Sequence, residues 1–135
     1  MKVVVDIETA IGEVENWLDY HKVMPLQRKD FEGSIKILIE GVQYGILKLS
    51  DNAFTQTLLE PVGKDGNITE IKYKARIKNS IELAPFKKDA EGGAGLIEAV
   101  WSCLTADAMP KQVYKLLDKA DKRFAGAIVI FFLET

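Results

Sequence analysis

Four cations recur at alternate positions near the middle of the chain, and they are the first residues that could do chemistry. In the segment IKYKARIK they stand two residues apart, at Lys72, Lys74, Arg76 and Lys78. If this segment is a β-strand, the four side chains share one face and could follow a phosphate backbone. That face carries no aromatic residue to stack on bases, and lysine-rich strand faces also prevent strands of different molecules from pairing. Nucleic-acid binding is therefore one hypothesis and a solvated face is the other.

The remaining reactive residue types do not form a catalytic or ligand-binding set. His21 is the single histidine and has no recognisable carboxylate or nucleophile partner, and Cys103 falls on an apolar helical stripe. The segment GKDG, residues 63–66, lacks the spacing of a phosphate-binding loop and indicates a tight turn. Asp118 and Asp121 are too few for a calcium loop and are typical of helix caps. We expect no enzyme activity, no metal and no cofactor.

Length and composition indicate one globular domain that spans residues 1–135. Of these 135 residues 47% are hydrophobic and 28% are charged, which is the usual balance of a folded domain. With 18 basic and 20 acidic residues the net charge is −2, so attraction to nucleic acid would have to be local. A single cysteine excludes an internal disulfide framework. Asp6 and Glu8 interrupt the N-terminal valines before they could form a signal peptide, so we expect a cytosolic protein.

Residues 6–45 are predicted to form a helical hairpin. Apolar residues at spacings of four, three and four indicate a first helix, with its stripe at Ile7, Ile11, Val14 and Leu18. The same spacings predict a second helix, with its stripe at Phe31, Ile35, Leu38 and Val42. Pro25 should begin that second helix, and Gly45 should end it.

Residues 46–79 are predicted to form a small antiparallel β-sheet. Alternation from Ile46 to Ser50 and from Phe54 to Leu59 predicts a hairpin. A second turn and a further strand should follow in LLEPVGKDGNITEIKYKARIK, residues 58–78. Residues 86–95 are rich in glycine and lysine and indicate a flexible loop. The predicted fold class is α+β, with an N-terminal helical hairpin, a small antiparallel β-sheet and C-terminal helices.

Residues 96–133 are predicted to form those C-terminal helices. The first should end before Pro110, and the pattern beyond it fits either one long helix or two helices with Asp118 as a cap. The stretch from Ala125 to Leu133 loses its polar face, so it must be buried on all sides or must meet a partner. Its β-branched residues also leave a strand open as an alternative.

Three segments in this order resemble the tail assembly chaperones of long-tailed bacteriophages. The first, residues 17–49, is similar to the helical opening of one branch of that family: WLDYHKVMPLQRKDFEGSIKILIEGVQYGILKL. The second, residues 58–78, resembles the family's strand pair, although Glu60 stands before Pro61 where an aromatic residue is more usual. The third, residues 116–132, resembles the family's C-terminal motif: LLDKADKRFAGAIVIFF.

The resemblance implies a non-enzymatic adaptor in the host cytoplasm. Such a protein would bind the long helical tape measure protein, keep it soluble and help to recruit tail tube protein during tail assembly. In many phages a ribosomal frameshift also yields a longer form, and this chain would correspond to the short form. Apolar helical surface should bind the client, and we expect it around Phe124, Ile128, Phe131 and Phe132.

Two further expectations concern partners. Self-association is left open, and no membrane contact is expected. The alternative function is that of a small phage nucleic-acid-binding or regulatory protein, which would use the basic strand face.

Overall fold

The computed structural model describes residues 1–77, 80–88 and 92–133 and has the predicted α+β architecture. Its helices are α1 (Ile7–Tyr20), α2 (Pro25–Asp30), α3 (Glu32–Gln43), α4 (Ser80–Lys87), α5 (Gly92–Leu104), α6 (Lys111–Leu116) and α7 (Lys119–Val129). Its strands are β1 (Leu47–Ser50), β2 (Ala53–Val62) and β3 (Ile68–Lys72). Two short 3-10 turns complete the fold, Lys64–Gly66 before β3 and Ile130–Phe132 after α7, and the latter is called the C-terminal turn below.

The N-terminal helices pack as the predicted hairpin, but the second arm is broken. The backbone of Phe31 leaves the helical region, with φ −107° and ψ 26°, and divides this arm into α2 and α3. At this break the Phe31 ring meets the Phe131 ring edge to face at 5.5 Å.

Both long helices of the hairpin end in the same hydrogen-bonded motif. After α3, Gly45 adopts φ +73° and its N–H donates to the Val42 carbonyl, while the Ile46 N–H donates to the Gly41 carbonyl. This pair of bonds satisfies carbonyls that the helix end would leave unpaired, and it favours glycine at the left-handed position. The prediction that Gly45 ends the helix is confirmed.

The three strands form an antiparallel sheet in the order β1-β2-β3. Asp51 and Asn52 make the first turn with positive φ values of 52° and 63°, as a two-residue hairpin requires. Strand β2 runs on through Pro61, beyond the predicted segment from Phe54 to Leu59, and its pairing with β3 shifts register between Thr57 and Val62. A proline is tolerated there because it needs no ladder partner at an irregularity.

The third strand ends earlier than the alternating sequence predicts. It stops at Lys72, and Tyr73 forms only an isolated bridge with Thr105. The chain is then held by the end of α5, since the Lys74 N–H donates to the Leu104 carbonyl at 2.7 Å. The predicted strand is therefore wrong over residues 74–77, and Lys78 lies outside the described residues.

The predicted loop over residues 86–95 is also wrong where the structure describes it. Helix α4 takes up Phe86 and Lys87 and is anchored by Leu83, which is buried. Helix α5 begins at Gly92, so the remaining glycines belong to its first turn. Residues 89–91 lie outside the described part of the chain.

The C-terminal pattern resolves into two helices and not one. Leu117 is extended between α6 and α7, and the Asp118 carboxylate accepts a hydrogen bond from the Ala120 N–H at 2.9 Å, as a helix cap does. The tail is helical up to Val129, and the C-terminal turn follows, so the strand alternative is wrong.

One buried cluster joins the helices to a single face of the sheet. The core face of β2 carries Phe54, Gln56 and Leu58, and Ile71 lies opposite Gln56 on β3. Helix α3 comes close to this sheet at Gly41, where an added Cβ would lie 2.6 Å from the Leu47 side chain and 3.1 Å from the Phe124 ring. A glycine is required there by packing and not by backbone angle.

We predict that Gly41→Ala lowers the free energy of unfolding by about 1–3 kcal/mol, because the new methyl overpacks the core. Gly12→Ala is the matched control, since a Cβ at that interior position of α1 would meet no described atom within 4 Å. It should raise the free energy of unfolding by about 1 kcal/mol through helix propensity. Urea unfolding measures both values, and a stabilising effect at Gly41 would contradict the close approach of α3 to the sheet.

Candidate functional site

The four aromatic and aliphatic residues predicted to contact a client lie in the core. Their exposed fractions are 7% or less, for Phe124, Ile128, Phe131 and Phe132. Phe131 packs between the rings of Trp17 and Phe31. These residues do not offer an apolar face to a partner in this structure, and Phe124 borders an open groove.

The predicted basic face is not assembled as a row. Lys72 is exposed at the end of β3 with its Nζ 4.0 Å from a Glu70 oxygen. Lys74 lies beyond the strand and acts electrostatically on Cys103, whereas the half-buried Arg76 acts on His21. The three described cations therefore have different surroundings, and of these three only Lys72 belongs to a strand.

His21 and Cys103 have structural environments. His21 is the C-cap of α1 and its Nε2 lies 2.9 Å from the Phe131 carbonyl oxygen. Burial lowers the pKa of His21, and the Phe131 hydrogen bond offsets part of that effect. Burial raises the pKa of the Cys103 thiol, which lies 3.5 Å from the Glu82 carbonyl oxygen, so this thiol is kept neutral and is not an activated nucleophile.

A chain of buried hydrogen bonds, absent from the sequence-based expectations, crosses the core from α5 to α7. The Trp101 Nε1–H donates to the Tyr73 hydroxyl at 3.0 Å, and that hydroxyl donates to Gln56 Oε1 at 2.8 Å. The Gln56 amide then donates to the Asp121 carbonyl oxygen at 2.9 Å. Burial raises the pKa of Tyr73, which keeps its hydroxyl protonated as a donor.

The series of hydrogen bonds ends at Asp121, whose side chain lies at the irregular part of the sheet. Its two carboxylate oxygens accept hydrogen bonds from the Leu59 and Glu60 N–H groups, at 2.8 and 3.1 Å. These amides lie within the register shift of β2 and β3, between Thr57 and Val62. The fully buried carboxylate thus replaces sheet partners and fastens α7 to β2.

The sequence contains a pattern that indicates these buried hydrogen bonds. Asp121 lies on the apolar stripe of Leu117, Phe124 and Ile128 at spacings of four, three and four. Gln56 likewise occupies the inward phase of β2 between Phe54 and Leu58. A buried polar residue needs a hydrogen-bond partner, so a polar residue on each apolar stripe could have marked these two positions as a pair.

An open groove of about 430 Å³ lies next to this series of hydrogen bonds, at the contact of α3 with α7. It is lined by eight residues: Met1, Glu40, Tyr44, Ile46, Leu59, Ala120, Arg123 and Phe124. Within this lining, Leu59 is 40% exposed and Phe124 is 5% exposed. Arg123 of α7 and Glu40 of α3 form an ion pair, with 3.7 Å between Nη1 and Oε1. The groove therefore combines an apolar lining with a charged rim.

Neither metal binding nor a membrane span is indicated by the part of the chain that the structure describes. Among these residues no group of three or more His, Cys, Asp or Glu side chains is placed to hold a metal ion. Within the same ranges no helix has the length and apolarity needed to cross a bilayer. Comparison with protein families, curated proteins and solved structures finds no match to this chain.

We predict that Asp121→Ala lowers the free energy of unfolding by about 3 kcal/mol, because two backbone N–H groups lose a charged acceptor. Asp118→Ala is the matched control, since it removes an exposed cap of the same helix and should cost about 1 kcal/mol. Urea unfolding of the two variants gives the comparison. Equal losses would show that the buried carboxylate contributes no more than a cap.

A second prediction concerns the Tyr73 hydroxyl. Tyr73→Phe keeps the ring but leaves the Trp101 N–H and the Gln56 oxygen unpaired, so we expect a loss of about 1–3 kcal/mol. Tyr20→Phe provides a control for the same change at an exposed ring and should alter stability by less than about 0.5 kcal/mol. Thermal or urea unfolding distinguishes the two, and similar values would contradict a structural role for the buried hydroxyl.

Proposed function

We propose that this protein is a bacteriophage tail assembly chaperone that holds an apolar helical segment of the tape measure protein in the groove between α3 and α7. Recruitment of tail tube protein and action in the host cytoplasm belong to the same proposal. The groove is the observation that carries it. An amphipathic helix can place apolar side chains in such a groove while its polar face stays in water.

The composition of the groove supports a helical client. Ile46, Leu59 and Phe124 contribute apolar surface, and the tight packing of Gly41 keeps α3 close to the layer beneath it. Glu40 and Arg123 place opposite charges at the rim, where they can set the orientation of a client helix. Such a site favours an amphipathic segment over a wholly apolar one.

The proposal places the client contacts differently from the sequence-based prediction. Of the four residues expected to bind the client, Phe124 lines the groove, whereas Ile128, Phe131 and Phe132 pack inside the core. Direct contacts would come from the exposed lining, such as Leu59 and Ala120.

The alternative of a nucleic-acid-binding or regulatory protein needs the cations on one face. Lys72, Lys74 and Arg76 have separate surroundings, and the net charge of the chain is −2. No observation on the described residues favours this alternative over the groove.

The test is co-expression with the tape measure protein encoded by the same phage. Wild-type chain should keep that protein in the soluble fraction and co-purify with it. Ala120→Arg places a long cation in the groove and should reduce co-purified client about tenfold, equivalent to about 1.4 kcal/mol. Ala84→Arg is the matched control, because Ala84 is an exposed helical alanine of α4 away from the groove, and it should retain binding.

Two outcomes would count against the proposal. A client that stays insoluble with wild-type chain removes the chaperone function. A client that binds wild type, Ala120→Arg and Ala84→Arg equally leaves the chaperone function standing but excludes the groove as its site. Circular dichroism of both variants establishes that they are folded before binding is compared.

A further inference from the structure

The C-terminal turn is held on the end of α1 by one histidine and a group of aromatic rings. Besides its contact with the Phe131 carbonyl, the His21 ring lies 4.3 Å from the Phe132 ring and stacks on Trp17 at 5.3 Å. Trp17 also meets Phe131 edge to face at 5.5 Å. This is a contact between residues 110 positions apart, and it closes the fold.

The hydrogen bond to Phe131 identifies the tautomer of the neutral ring. Because the Phe131 carbonyl is an acceptor, His21 Nε2 carries a proton, and in the neutral ring Nδ1 is therefore the unprotonated nitrogen. Nδ1 is buried and has no hydrogen-bond partner among the described residues. A proton added there would bring a charged N–H into a site that offers it no acceptor.

The charges around His21 also oppose its protonation. Arg76 faces the ring and carries the same sign as an imidazolium. The C-terminal turn contributes only apolar side chains, Ile130, Phe131 and Phe132. Asp19, the neighbouring carboxylate on α1, is paired with Arg28 at 2.6 Å. The negative end of the α1 dipole favours the cation, but burial is the largest influence and the pKa of His21 is lowered.

We propose that His21 is a proton-operated latch: the neutral ring holds the C-terminal turn on α1, and protonation releases the turn and uncovers the apolar surface of Trp17, Phe131 and Phe132. The inference rests on this contact alone and holds whether or not the protein is a chaperone. For a chaperone, it supplies a second apolar surface, which includes two of the residues predicted to meet the client.

The direction of the pH dependence follows from the lowered pKa. Above the ordinary histidine pKa of 6.5 the ring is neutral in both the docked and the released state, and docking is at full strength. As pH falls below this value, the released state binds the proton first and docking weakens.

The experiment follows the full-length, isotope-labelled protein by NMR from pH 7.5 to 5.0. The His21 ring carbons report its protonation, and the amides of Phe131 and Phe132 report docking of the turn. We expect these amides to lose their native positions with the same midpoint as His21, at a pH below 6.5, while the amides in the middle of α7 keep theirs. His21→Gln retains a side-chain N–H donor but does not titrate, so its turn should stay docked throughout.

The latch is overturned if His21 titrates while the Phe131 and Phe132 amides do not move. It is also overturned if the turn of His21→Gln is released over the same pH range as in wild type. Should His21→Gln not fold, the comparison of the two midpoints in wild type decides the question alone. Neither result depends on client binding, so failure of the latch and failure of the proposed function are distinguishable.

Discussion

The hydrogen bonds from the β2 backbone to the Asp121 carboxylate are the constraint on which the rest of the structure depends. Where β2 and β3 lose register, the Leu59 and Glu60 N–H groups would be left without sheet partners, and a helix supplies the acceptor. Burying a carboxylate is costly unless it is fully hydrogen-bonded, so these bonds favour one position of α7 against β2. That position sets one wall of the groove and the direction in which the C-terminal turn leaves α7.

Much of the fold could be predicted because the long N-terminal helices α1 and α3 bury apolar residues at helical spacing. The stripes of α1 and α3, apart from Ile7, which is 54% exposed, and the hairpin turn at Asp51 follow from local chemistry. The cap at Asp118 is one of the two alternatives that the sequence left open. The end of β3 could not be predicted in this way. Alternation continues in the sequence after Tyr73. The backbone there instead makes hydrogen bonds with residues at the C-terminal end of α5, which are distant in sequence. Likewise, glycines that indicate a loop locally are compatible with a helix start when Leu83 and the α5 stripe are buried.

The candidate site was harder to predict than the fold, for a different physical reason. An apolar helix end can be buried within its own chain or by a partner, and sequence periodicity does not distinguish the two. Here the chain itself covers Ile128, Phe131 and Phe132. Asp121 has the residue type of a cap but the position of a core residue, and its hydrogen bonds to β2 define its role. The groove depends on two helices that are distant in sequence, so no local motif marks it.

The contact of His21 with Phe131 also has a consequence for synthesis of the chain. The aromatic end of α1 emerges from the ribosome 110 residues before the segment that covers it. At translation rates of about 5–20 residues per second, that interval lasts from several seconds to some twenty seconds. During it, Trp17 and Phe31 lack the rings of Phe131 and Phe132 against which they finally pack. The growing chain is therefore exposed to aggregation in a way that the finished protein is not.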